Sequence, residues 1–155
     1  IYERRHTRMI ADFGGLWSVV PVFSVCLLLA MLASAGLPGL NGFVGEFLIL
    51  LGAFGRWPWA TAVAVSGVIL GALYLLWMYE RTIFGPVVHE ENRRLRDIGT
   101  RELVVITPVL ALCFVMGLYP TPILRRIEPA VERVIAIVER RAAHTTLATV
   151  DVPHP

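Results

Sequence analysis

The sequence predicts an all-α integral membrane fold of three transmembrane helices, the first discontinuous, with a C-terminal amphipathic surface helix. Three observations carry this reading. The 155 residues are 56% hydrophobic, with a mean hydropathy of +0.67. Only 17% of them are charged, against roughly 25% in an ordinary soluble domain. Apart from Glu46, Arg56 and Asp151, the charges gather in residues 3–12, 80–102 and 125–141. The apolar stretches between them exceed the roughly 18 residues that suffice for a membrane span.

In chain order, residues 1–18 read as a charged cytoplasmic loop containing Gly14-Gly15. Residues 19–54 carry Glu46 as their only formal charge. One straight helix of that length would measure about 54 Å, far beyond a hydrocarbon core of about 30 Å. Two full spans would need about 40 apolar residues plus a turn. A single transmembrane helix interrupted partway is the reading that fits.

Gly55-Arg56-Trp57-Pro58 caps this segment. The second span, residues 59–79, is uncharged, with Trp57 and Trp59 at one end and Trp77 and Tyr79 at the other. Aromatic residues collect at lipid–water interfaces in this way. Gly67 and Gly71 form a GxxxG step, a weak signal for close helix approach. Residues 80–102 form an arginine-rich loop that opens on the interfacial charges Glu80 and Arg81, and residues 103–122 form the third span, with Pro108 inside it and "YPTP" stopping it.

Residues 123–141 place Ile127, Val131, Val134, Ile135 and Val138 on one helical face and Glu128, Glu132, Arg133, Glu139 and Arg140 on the other. Such a segment is too charged to cross a bilayer and is expected to lie on its surface or against a partner. Residues 142–155 are expected to be a disordered tail. Three spans put residues 1–18 and 80–102 on one side, with eight arginines against six on the other. That excess marks the first side as cytoplasmic.

The net charge is only +2 and all fourteen basic residues are arginine, with no basic run interleaved with aromatics. Nucleic acid is therefore not an expected partner. Cys26 and Cys113 lie in apolar segments without a CxxC pattern and read as buried thiols. His6, His89, His144 and His154 are isolated from one another, so no metal site is expected. No nucleophile–base pair, phosphate-binding glycine loop or cofactor fingerprint is present. The opening "IYERRHTR" has neither the apolar core nor the cleavage site of a signal peptide. It reads as the middle of a polar loop, so the chain is expected to be a fragment of a longer protein.

The stretch "ASAGLPGLNGFVGEFLIL", Ala33 to Leu50, holds the site. Pro38 lacks an N–H and would clash with the carbonyl of Ser34, so the helical ladder is expected to fail there. Gly36 and Gly39 flank it, with Leu37 between, and permit backbone angles other residues resist. On this reading, Pro38→Ala would straighten the helix and impair proton movement. Asn41 is expected to cap the second half-helix, with Gly42 and Gly45 allowing close packing and Glu46 one and a half turns inside. A break in lipid is tolerated only where protein or a wet cavity satisfies the backbone. Glu46 is either a structural carboxyl hydrogen-bonded within a bundle or a protonatable carrier. Its place beside a Pro-Gly break favours the carrier, because discontinuous helices with an ionisable group recur at transport sites.

"GLPGLNGFVGEFLILLGAF" (Gly36 to Phe54) resembles the broken twelfth helix of the antiporter-like subunit family, subunit M or chain 4, of respiratory complex I, the proton-pumping NADH:quinone oxidoreductase. "YERRHTR" resembles the loop entering that helix, and "YPTPIL" with the helix after it resembles the family's C-terminal end. The resemblance implies the last three of fourteen transmembrane helices. It implies that Glu46 is the terminal proton carrier of the half-channel facing the outer side. It also implies that the amphipathic helix lies on the periplasmic face against a neighbouring membrane subunit, in a bacterial inner membrane.

NADH, FMN, iron–sulfur clusters and quinone are then expected in other subunits and no cofactor in this chain. The family's other key groups, a glutamate and lysines on earlier helices, have no counterparts here, and the chain contains no lysine. The partners implied are the missing N-terminal helices, the other membrane subunits and the lipid bilayer. Two alternatives stand beside this reading. One is a subunit of an Mrp-type sodium/proton antiporter or membrane-bound hydrogenase, relatives that usually place lysine at the position of Glu46. The other is a passive membrane scaffold.

Overall fold

The computed structural model describes residues 1–150, with side chains through residue 141. Every regular element among them is helical: α1 (Tyr2–Arg5), α2 (Leu16–Val19), α3 (Pro21–Ser34), α4 (Asn41–Phe54), α5 (Pro58–Ile83), α6 (Glu90–Arg93), α7 (Thr100–Leu118) and α8 (Thr121–Val150). A short 3-10 turn, Ile10–Asp12, lies between α1 and α2. Two compact units result, Ile1–Leu118 and the segment from Tyr119 onward.

Length separates the apolar helices into two kinds. α5 and α7, of 26 and 19 residues, are long and apolar enough to cross a membrane. α3 and α4 have 14 residues each, about 21 Å apiece, and neither alone would span a core of about 30 Å. The 19–54 segment is thus two half-helices joined by residues 35–40. Within the first unit, α4 packs against α5 and α7, and α3 touches α4, α5 and α7. Large apolar side chains along these helices face outward, among them Ile49, Trp59, Val63, Leu70 and Val104. An apolar surface that extensive requires lipid or further helices to cover it.

The packed core lies where the polar loops gather. Leu16, Val20, Met31, Tyr79 and Ile83 form it, with Phe13, Leu27 and Leu75 against them. This explains why α5 runs a full turn past the expected end at residue 79: Ile83 is 0% exposed and Thr82 is buried beside it. Tyr79 corrects its reading as an interfacial aromatic. It is 4% exposed, and its hydroxyl donates to the carbonyl of Ser24 in α3 at 3.0 Å.

The N-terminal loop and residues 84–102 are joined at several points. Arg4 pairs with Glu102 at 2.8 Å, and Arg5 pairs with Glu91. Buried Asn92 donates to the carbonyl of Asp12 at 2.9 Å, and the Gly15 N–H donates to Phe84 O at 3.1 Å. The two loops therefore share one end of the unit.

α7 ends at Leu118, and its internal Pro108 is accommodated without a break. In the second unit α8 is one continuous helix with Pro129 inside it. Ile127, Val131, Val134, Ile135 and Val138 along it are about half exposed. The helix continues to Val150, so residues 142–150, expected as tail, are helical. The Ala142-Ala143 pair extends the preceding turns, since alanine is the strongest helix former. Residues 151–155 lie outside the described residues.

Candidate functional site

The break between α3 and α4 is built in two steps, and glycine rather than proline makes the first. α3 stops at Ser34, and Gly36 takes the left-handed conformation with φ of 73°. Leu37 N–H then donates back to Leu32 O at 3.1 Å, and Ala35 N–H to Met31 O at 2.8 Å. This is a Schellman-type C-cap, which satisfies carbonyls that the end of a helix leaves unpaired. Pro38 follows two residues later, where it blocks resumption of the helix.

A tight turn makes the second step. Leu40 N–H donates to Leu37 O at 3.0 Å, with Pro38 and Gly39 at the two central positions and Gly39 at φ of 96°. Proline first and a positive-φ glycine second is the pattern of a type II turn. Leu40 is extended and buried, and α4 starts at Asn41.

Asn41 is therefore the first helical residue and not the cap. The N-cap position belongs to Leu40, without a side-chain cap hydrogen bond. Asn41 already has helical backbone geometry, and its Oδ1 is buried without a protein partner. This leaves a free acceptor beside the break.

Two glycines let other backbone approach. A Cβ on Gly42 would collide with the carbonyl oxygen of Ala33, so the first turn of α4 lies against the last turn of α3. A Cβ on Gly117, in α7, would collide with Gly39 O and the Leu40 Cα, so α7 backs the break directly. Gly45, expected to allow close packing, has no atom within 4 Å of its Cβ position among the described residues and lies on the open side of α4. The Gly67–Gly71 step likewise meets no neighbouring helix here.

Glu46 folds back over the break. Its Oε2 occupies the space that a Cβ on Gly36 would fill, with Cδ 3.2 Å and Oε1 3.7 Å from that position. The side chain is half-buried, and no hydrogen bond or cation partner to it occurs among the described residues. Leu37 and Pro38 are exposed on the outside of the turn. A carboxyl thus sits against the end of a broken apolar helix, beside a turn rich in backbone polar groups. That arrangement can exchange a proton or bind a cation, whereas among the described residues no three His, Cys, Asp or Glu side chains converge as a metal site.

Three residues that hold these helices in place escape sequence reasoning. Gly117 is one and Tyr79 is another. The third is Asp97, whose Oδ2 accepts from Val22 N–H at 2.8 Å and whose Oδ1 accepts from Phe23 N–H at 2.9 Å. Asp97 therefore caps α3 from a loop 75 residues away. Burial opposes its charge, but the N–H groups of Val22, Phe23 and Ile98 and the charge of Arg4 hold its carboxyl below the usual aspartate range. No local pattern in "RRLRDIGTRE" announces this contact.

Two half-helices thus pack against two helices of membrane-spanning length, with a carboxyl group over their junction. Residues 1–73 match the family described as NADH:quinone oxidoreductase/Mrp antiporter, transmembrane. That match takes in just under half of the chain. Over its whole length it is similar to NADH-quinone oxidoreductase subunit M of Mycobacterium tuberculosis, at 40% identity and covering 30% of that protein.

Subunit M of Rhodobacter capsulatus is 42% identical over 87% of the chain, which covers 26% of it. Among solved structures, respiratory complex I from Thermus thermophilus with bound NADH matches with a TM-score of 0.76 and 34% identity. That match covers 83% of this chain and 27% of the other. The chain thus spans less than a third of the proteins it matches.

Proposed function

We propose that this chain is the C-terminal part of a proton-translocating membrane subunit of NADH:quinone oxidoreductase, with Glu46 as the proton carrier at a broken transmembrane helix. The observation that carries the reading is the Glu46 carboxylate resting on Gly36 at the break. An ionisable group inside a membrane segment is costly and marks ion or proton paths. Beside a helix break it has polar neighbours with which a proton can be exchanged. The free Oδ1 of Asn41 supplies one acceptor at that place.

The chain forms three spans, α3–α4 together, α5 and α7, with α8 along the outer membrane surface against a neighbouring membrane subunit. The shared end of the N-terminal loop and residues 84–102 faces the cytoplasm of a bacterial cell. Earlier helices of the parent subunit complete the proton path. Redox chemistry, with NADH, FMN, iron–sulfur clusters and quinone, belongs to other subunits, and this chain binds no cofactor. The relatives' names support the oxidoreductase over the cation antiporter that the family also includes. The test is Glu46→Gln in the parent subunit, read as NADH-driven quinone reduction and proton pumping in membranes holding the assembled complex.

A further inference from the structure

We infer that Asp97 is a positioning residue for the Glu46 site, acting through α3 as a rigid arm; this inference rests on the proposed role of Glu46. The head of α3 is held from outside its own segment. Pro21 opens the helix and has no N–H to satisfy, and the next two N–H groups, of Val22 and Phe23, both end on the Asp97 carboxylate. A carboxylate at a helix N-terminus stabilises it through these hydrogen bonds and the helix dipole.

Asp97 is itself fixed. Its Oδ1 also accepts from Ile98 N–H at 2.8 Å. On either side Arg4 ties the loop down, donating to Arg96 O and to both oxygens of Glu102. From α5, Tyr79 grips the Ser24 carbonyl in the same stretch of α3. The far end of α3, about 21 Å away, is the Gly36 cap against which Glu46 lies. α3 is one unbroken helix of 14 residues, held to its neighbours at buried Ser24, Met31 and Ala33, so a displacement at Val22 is carried along it to Gly36. The loop between α5 and α7 thereby sets the seat of the Glu46 carboxylate without touching it.

The experiment uses the complete complex carrying Asp97→Ala or Asp97→Asn, with amide hydrogen exchange and infrared difference spectroscopy as readouts. Loss of the cap is expected to speed exchange at Val22 and Phe23 by about fivefold in Asp97→Ala. Asp97→Asn keeps one acceptor oxygen and is expected to fall between Asp97→Ala and the parent. The Glu46 carboxyl bands, assigned by their absence in Glu46→Gln, are expected to shift in both variants.

Faster exchange with unmoved Glu46 bands would overturn the inference, because the cap would then be local to α3. Unchanged exchange in Asp97→Ala would overturn it as well. If the Ala variant does not assemble, the Asn variant is judged by the same two readouts. Neither readout depends on transport, so normal pumping in Glu46→Gln would refute the proton-carrier reading separately.

Discussion

The Glu46 carboxylate lies in the space that a side chain at Gly36 would occupy. Gly36 thus does two things that only glycine combines. It adopts the left-handed angle that ends α3, and it leaves a surface bare for the carboxylate arriving from α4. Gly36→Ala would place a methyl group where Oε2 now sits and hold it at a backbone angle costing about 1–2 kcal/mol. The expected outcome is an assembled complex with proton pumping reduced about tenfold or more, since small misplacements of a reacting group have effects of that size. Pumping measured with acridine dyes, alongside a native gel, checks this.

Pro38→Ala separates the roles of proline and glycine. Sequence reasoning gives Pro38 the break, but α3 has ended at Ser34 before Pro38 is reached. The cap by Gly36 and the turn at Gly39 survive its replacement. The loss is then the conformational restriction of proline, about 0.4–1 kcal/mol, and pumping should stay close to that of the parent. A collapse of pumping in Pro38→Ala would assign the break to the proline after all.

Gly117→Ala tests the backing of the break by α7. The added methyl would strike the Gly39 carbonyl and the Leu40 Cα, backbone that cannot step aside as a flexible side chain can. Overpacking of this kind costs about 1–3 kcal/mol. The assembled complex should show a lower midpoint of thermal inactivation.

Tyr79→Phe removes one buried hydrogen bond, to Ser24 O at 3.0 Å. The expected loss is about 1 kcal/mol, seen as faster amide exchange around Ser24. An interfacial tyrosine anchored in lipid headgroups would give no such local effect.

The Asp97 clasp has a defined pH dependence. Its carboxyl is held below the ordinary value of 3.8, so the ionised form is favoured in the folded state. A depressed carboxylate contributes its full stabilisation above the unfolded value and loses it as pH falls through the folded one. Exchange protection at Val22 and Phe23, corrected for intrinsic rates, should hold from neutral pH down to the ordinary aspartate range and fade only below it. The charged groups beside Asp97, Arg4 and Glu102, are to be kept intact in this comparison. Loosening near neutral pH would contradict the assignment.

What was legible in the sequence was what repeats or interrupts locally. The charge gaps defined the apolar helices, and the glycines and proline between Ala33 and Asn41 located the break, with Glu46 beyond it. What was not legible depends on residues distant in the chain. Asp97 meets Val22 and Phe23, Tyr79 meets Ser24, and Gly117 meets Gly39, contacts that composition and periodicity do not encode. Asn41 was read as a cap because its type favours that position, yet the preceding turn ends on an extended Leu40 and takes the cap position for itself. Gly45 shared the spacing of Gly36, Gly39 and Gly42 but faces away from this chain's own helices.

The most direct test of the account is Glu46→Gln in the parent subunit, with quinone reduction and proton pumping recorded together on membranes whose complex is shown to be assembled. The substitution keeps the side chain's size and its place over Gly36 and removes its capacity to carry a proton. The account predicts an assembled complex in which both activities fall sharply. Normal values for both would make Glu46 a structural carboxyl and the chain a membrane scaffold.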